Sequence, residues 1–185
     1  MSFIHLRTAS SYSFKYGTTQ PHDLVARASE FEMPALALTD RDGLAGAIRF
    51  TKACVDYGIA PIIGINMALE LLEKFSSYTA NLHLLHGPES PVSQALAAHR
   101  FDAALASFNQ TRDLFADHAI ECVSHLAPGS GPRSTAHAAR SLIFARDNDI
   151  DAIITNAVRM RDRTDGPVAD VLDCARQLVP LHPRH

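Results

Sequence analysis

Pro34–Ala68, PALALTDRDGLAGAIRFTKACVDYGIAPIIGINMA, decides the fold. Ala35–Thr39 is a short apolar run, and Asp40-Arg41-Asp42-Gly43 stops it with turn chemistry. Leu44–Tyr57 places Leu44, Ala47, Ile48, Cys54 and Val55 at helical spacing, with Gly58 as the stop signal. Pro61–Ile65 carries three isoleucines and reads as a buried parallel strand. Strand, helix and strand make a right-handed βαβ unit, and ligands of such units gather where the strands end. Those ends are Asp40-Arg41 and Asn66.

Working outward, Phe3–Arg7 predicts a first strand, and Thr8–Thr19 a loop rich in Ser, Thr and Tyr. Pro21 suits the first turn of a helix that runs to Phe31 and buries Leu24, Val25 and Ala28. Beyond the quoted stretch, Leu69–Phe75 predicts a short helix and Asn81–Leu85 a fourth strand. Ser90-Pro91 opens a helix carrying Val92 and Leu96. Phe101–Ala116 is a longer one, with Phe101, Leu105, Phe108 and Phe115 near one face. Ile120–Val123 predicts a fifth strand, Ser134–Asn148 a helix, Ala152–Thr155 a sixth strand and Val168–Leu178 the last helix. The tail, 180–185, is frayed. Strands alternating with helices imply an α/β fold with a parallel sheet or barrel. The link after Ala68 is barely long enough for a crossover helix.

The 185 residues suffice for one domain with a sizeable core. A net charge of −3 gives no global basic field for nucleic acid. No apolar run approaches a membrane span, and Met1–His5 lacks the pattern of a signal peptide. Cys54, Cys122 and Cys174 are odd in number and far apart, as expected of reduced thiols in a cytoplasmic protein. They lack the paired spacing of a zinc site.

In a parallel barrel the functional face is built from loops after the strand C-termini. That rule brings Arg7, Arg41 and Arg159 to one mouth. Guanidinium groups are the wrong surroundings for a metal cation but suit phosphate or carboxylate, so the three are candidate anion-binding residues. The commoner fate of such arginines is structural pairing, here with Asp40, Asp42 and Asp162. His83 and His86 point to opposite faces of a strand, which excludes joint ligation. Glu121 and His125 share one side of an extended segment. Gly129-Ser130-Gly131 precedes a helix, but Pro132 removes an amide donor, and a plain turn with a Ser134 cap fits better than a phosphate cradle. No Gly-rich nucleotide motif, nucleophile elbow or metalloprotease helix occurs.

Four stretches taken together resemble a PHP domain: Phe3–Ser13 (FIHLRTASSYS), Ala35–Arg41 (ALALTDR), Pro61–Gly64 (PIIG) and Ile154–Arg159 (ITNAVR). The likeness is to the N-terminal PHP domain of the bacterial C-family DNA polymerase III alpha subunit, in its error-prone, actinobacterial-like branch. It implies a distorted parallel (βα) barrel with about six strands instead of seven, a single domain over 1–185, and an internal deletion near 68–82. Active members of the family are metal-dependent phosphoesterases or 3′–5′ exonucleases. Their ligand positions fall here on Arg7, Ala9, Arg41, Asn66, Ala157 and Arg159, none suited to the task. His125 is the ligand position that survives, with Asp40 the other candidate.

The resemblance therefore implies a degenerate, metal-free PHP domain with no catalytic residues and no cofactor. Its expected role is structural or interactive, in DNA replication, repair or translesion synthesis, without polymerase activity by itself. The expected partners are polymerase subunits or DNA at low affinity, and no membrane. The alternative is a phosphoesterase or exonuclease using Mn or Zn on Asp40, His125 and His83.

Overall fold

The computed structural model describes residues 3–67, 82–115 and 117–181. The chain divides into two compact units, one of Met1–Met67 with Ala157–His185 and one of Ala68–Asn156.

In the first unit, β1 (Ala35–Arg41) runs parallel to β2 (Ala60–Asn66), with Leu36 opposite Pro61 and Arg41 opposite Asn66. The segment expected to be a first strand lies along the other side of β1. Ala37 N–H donates to the His5 carbonyl at 2.9 Å, and Thr39 N–H to that of Thr8 at 2.8 Å. Thr8 in turn bridges Val158, through Ala9 N–H to the Val158 carbonyl at 2.8 Å and Val158 N–H to the Arg7 carbonyl at 2.9 Å. The order across this unit is thus Val158, Arg7–Ala9, β1, β2.

Two helices cover one face: α1 (Pro21–Glu30), with Pro21 in its first turn, and α2 (Ala47–Tyr57). Leu24, Val25, Ala28, Leu36, Leu38, Phe50, Ala53, Cys54 and Ile59 form their common core. Gly58 ends α2 with φ +69°, a left-handed residue that only glycine adopts without strain. Burial pushes the Cys54 thiol up to about 11 and makes it inert.

Two sequence expectations fail here. The buried side of α2 is Phe50, Ala53 and Cys54, while Ile48 and Val55, placed on the core face by their spacing, are 85% and 72% exposed. The bulk of Phe50 against β1 sets the rotation of the helix. Ile62 and Ile63 of β2 are also exposed rather than buried. Among the described residues β2 has one strand neighbour, β1, and so is an edge.

The second unit holds β3 (His83–His86), β4 (Asp117–Val123) and β5 (Asp151–Thr155), all parallel in that order. Ser90 caps α3 (Pro91–Ala97), accepting the Ser93 N–H at 3.2 Å. Then come α4 (Phe101–Arg112) and α5 (Thr135–Asp147). Val92, Leu96, Ala104, Phe108, Ile120, Cys122 and Phe144 make this core. Phe108 and Phe115 are buried as their spacing suggests, whereas Phe101, at the start of α4, is 46% exposed.

After a 3-10 turn at Arg163–Asp165, the last helix is α6 (Gly166–Gln177), in the first unit. The described strands form parallel sheets of two and three strands and not the closed barrel expected. The short helix expected at Leu69–Phe75 and the deletion near 68–82 lie outside the described residues, apart from Leu82. No described helix is long and apolar enough to cross a membrane.

Candidate functional site

The pairing in the first unit brings all six substituted positions to one set of strand ends. Arg41 and Asn66 face each other where β1 and β2 finish. Arg7 and Ala9 flank Thr8, and Ala157 and Arg159 flank the Val158 that bridges it.

Asp40 sits among them, 2% exposed. Its Oδ1 accepts the Ser10 N–H at 2.7 Å and the Ser13 hydroxyl at 2.7 Å. The Ser10 hydroxyl lies 3.0 Å from Oδ1 and 2.8 Å from Oδ2. Ser13 Oγ accepts the Arg41 N–H at 3.0 Å, which ties the loop to the end of β1. The loop that supplies these serines folds tightly: Ser13 N–H reaches the Ser10 carbonyl, and Tyr16 N–H the Ser13 carbonyl. Gly17 closes it, since a Cβ there would stand 2.0 Å from the Ser10 carbonyl oxygen. A Cβ on Gly46 would come within 2.8 Å of Asp40 Oδ2. Short hydroxyl and amide bonds satisfy this carboxylate without a cation.

Beside it, Tyr16 gathers the arginines. The guanidinium carbons of Arg41, Arg159 and Arg176 lie 4.0, 4.4 and 6.0 Å from its ring centroid. Arg159, 9% exposed, donates from Nε to the Tyr16 carbonyl, from Nη1 to Asp173 at 2.8 Å, and from Nη2 to the Ala169 carbonyl. Arg176 holds the other oxygen of Asp173 at 2.9 Å. Burial alone would raise the Asp173 carboxyl, but the two guanidinium groups outweigh it and hold the carboxyl below its ordinary value.

Structural pairing is thus what happens to Arg159, with a different acid from those expected. Asp40 is taken by serines, and Asp162 pairs with Arg27 and Arg161. Sequence reading missed Asp173 because the contact spans the turn into α6, and missed Ser10 and Ser13 because serines in a loop carry no distinctive spacing.

The donor set of the six positions is three guanidinium groups, two methyl groups and one amide. It does not fit Mn or Zn, which take carboxylate oxygens and neutral imidazoles. Among the described residues no three His, Cys, Asp or Glu side chains gather where they would hold a metal ion. Ala157, one of these six positions, is buried with φ +45°, a strained conformation for alanine.

The remaining candidates lie in the second unit. His125 follows β4 and is exposed, and its Nε2–H donates to the Asn156 carbonyl rather than to Glu121. Glu121, 1% exposed, accepts the Thr155 hydroxyl instead. His83 begins β3 and pairs with Asp117 at the start of β4. It therefore stands at the amino ends of the strands, a strand's length from His125, roughly 20 Å. His83 and His125 do not form a joint site. The Gly129–Gly131 loop is the plain turn: Ser134 Oγ donates to the Gly131 carbonyl at 2.7 Å and accepts the His137 N–H at 3.1 Å.

The family model for the PHP domain matches residues 5–160. The error-prone DNA polymerase of Corynebacterium efficiens is 38% identical over 91 residues, covering 46% of this chain and 8% of that one. That of Symbiobacterium thermophilum is 46% identical over 70 residues, or 38% of this chain and 6% of that one. The DNA polymerase III subunit alpha of Buchnera aphidicola is 45% identical over 65 residues, covering 35% and 6%. This chain thus spans under a tenth of the length of these relatives. A solved structure from Bifidobacterium adolescentis aligns with 85% of this chain and 88% of its own at 11% identity and a TM-score of 0.46, too distant to carry an argument.

Proposed function

This chain belongs to the PHP domain family, and from that premise we propose that it is a metal-free PHP scaffold. It acts in DNA replication or repair through contacts rather than chemistry, and has neither polymerase nor phosphoesterase activity by itself. One observation carries this reading. At the position of a family ligand, the Arg159 guanidinium reaches Tyr16, Asp173 and Ala169 at once and joins the strand ends to α6. A metal cluster crosslinks the same kind of place through its ligands. Here an arginine fork does so, and its charge repels a cation. The polymerase names of the relatives support the setting, and partner subunits or DNA at low affinity are the contacts proposed.

The test is thermal unfolding of chelator-treated protein with and without saturating Mn²⁺ or Zn²⁺, alongside release of phosphate from an aryl phosphate. The melting temperature should not move, and release should equal that of buffer. A rise of several degrees would overturn the reading, because a ligand of the folded state must stabilise it. So would metal-dependent hydrolysis lost in His125→Ala.

A second reading has its own support in the Arg41 and Arg159 guanidinium groups that lie together on Tyr16, with Arg7 at a neighbouring strand end. Arg7, Arg41 and Arg159 would hold a phosphate of DNA without chemistry. Binding to a short single strand should then weaken steeply with salt and be lost in Arg41→Ala.

A further inference from the structure

The second unit carries a feature unconnected with the substituted ligand positions. Between the start of α4 and the end of α5 lies an open groove of about 220 Å³. Its floor is Phe144, 4% exposed, and its walls are Phe101 and Ile143, 46% and 49% exposed. Two carboxylates, Asp102 and Asp147, stand at the same groove. Asp102 has no hydrogen-bond or ion-pair partner among the described residues. Arg146 engages one oxygen of Asp147, Oδ1, and leaves Oδ2 open. Asp147 is also the last residue of α5, where the helix dipole adds partial negative charge.

We propose that this groove docks a lysine or arginine side chain of a partner protein. The argument is complementarity of shape and charge. The space is smaller than the several hundred Å³ that nucleotide-sized or drug-sized ligands occupy, and suits one long side chain. Apolar walls match an aliphatic stem, and the carboxylates match a cationic head that remains partly in water. The Asp102 carboxylate, the open oxygen of Asp147 and a helix C-terminus outweigh the Arg146 guanidinium on Asp147 and disfavour an anionic ligand. Phe101 and Ile143 break the pattern of their helices by facing outward, and a docked stem covers both.

The probe is Nα-acetyl-argininamide, titrated into the full chain while the methyl signals of Ile143 and the side-chain amide of Asn148 are followed by NMR. A saturable shift confined to the groove is expected. Nα-acetyl-norleucinamide, which keeps the stem and lacks the charge, should bind about twofold to fivefold more weakly, the range for a water-exposed ion pair. Asp102→Asn should weaken the arginine probe by the same factor and leave the norleucine probe unchanged. Both changed positions, Asp102 and Ile143, are exposed, so Ile143→Ser should also fold and lose both probes. No saturable shift, an equal response to Nα-acetyl-glutamamide, or indifference to both substitutions would overturn the proposal. Tighter binding of free 1,5-diaminopentane would assign the groove to a small amine instead. Self-association abolished by Asp102→Asn would assign it to a second copy, and either result would overturn the partner-protein reading.

Discussion

In the first unit a carboxylate and a guanidinium group are deeply buried. Asp40 is 2% and Arg159 9% exposed, and each is held by a set of short, directed bonds. In the second unit a carboxylate, Glu121, is buried together with two imidazoles. His137, 1% exposed, contacts the Ser93 hydroxyl and carbonyl through Nε2. His86, 4% exposed, stacks on His118 at 5.8 Å and packs on Phe108. A buried full charge tolerates no loss of a partner, whereas a buried imidazole escapes the cost by staying neutral. The first unit should therefore be brittle to mutation. The second should soften in acid through His86, whose lowering to about 4 is large, whereas burial lowers His5 of the first unit in the same direction.

The sharpest way to break the first unit is Gly17→Ala. Its methyl would overlap the Ser10 carbonyl oxygen and open the cage around Asp40. We expect a loss beyond about 4 kcal/mol, enough to abolish cooperative unfolding of the unit. Circular dichroism against urea reads it, and a variant that melts like the parent would refute the closed loop.

Next in size is Arg159→Met, which keeps the apolar stem over Tyr16 but removes the donors from Asp173, Tyr16 and Ala169. The expected cost is about 2–3 kcal/mol, somewhat below the scale for breaking a fully buried ion pair from one side, because Asp173 is partly in water. A cost below about 1 kcal/mol would place this contact with ordinary surface pairs and remove the crosslink argued for it.

In the second unit, burial and then the neighbouring His118 push His86 down to about 4. The unfolded chain binds the proton at the ordinary imidazole value near 6.5, so it holds more protons than the folded chain between these limits. Stability from this group is complete above the unfolded value and declines as the pH falls through 6.5 toward 4. Between pH 7 and 5 the loss is about 2 kcal/mol. Urea midpoints at the two pH values should show it, and His86→Asn should flatten the slope. An unchanged midpoint in the parent would erase the contrast between the units.

The smallest effect is a gain. Ala157→Gly relieves the left-handed backbone at φ +45° and should stabilise the first unit by about 0.5–1 kcal/mol in chemical denaturation. A loss would mean that the buried methyl packs better than the strain costs.

The ends of the βαβ unit were legible because a turn cluster and a glycine punctuate apolar runs, and Gly58 stops α2 where expected. Caps at Ser90 and Ser134 were legible for the same local reason. The rotation of α2 was not, because both of its sides carry apolar residues and only contact with β1 selects Phe50 over Ile48. The placing of Arg41 and Asn66 at the strand ends followed from topology. Their partners did not.

What the sequence determined by itself was the alternation of strands and helices and the strand ends near which Arg7, Arg41 and Arg159 fall. These depend on residue type and on short-range order along the chain. The tertiary structure alone decided that Ser10 and Ser13 enclose Asp40, that Asp173 rather than Asp40 pairs with Arg159, and that Arg41 and Arg159 both pack on Tyr16. Each is a contact between residues up to 143 positions apart. A charge in the sequence has many candidate partners, and only the folded geometry selects the one within hydrogen-bond reach.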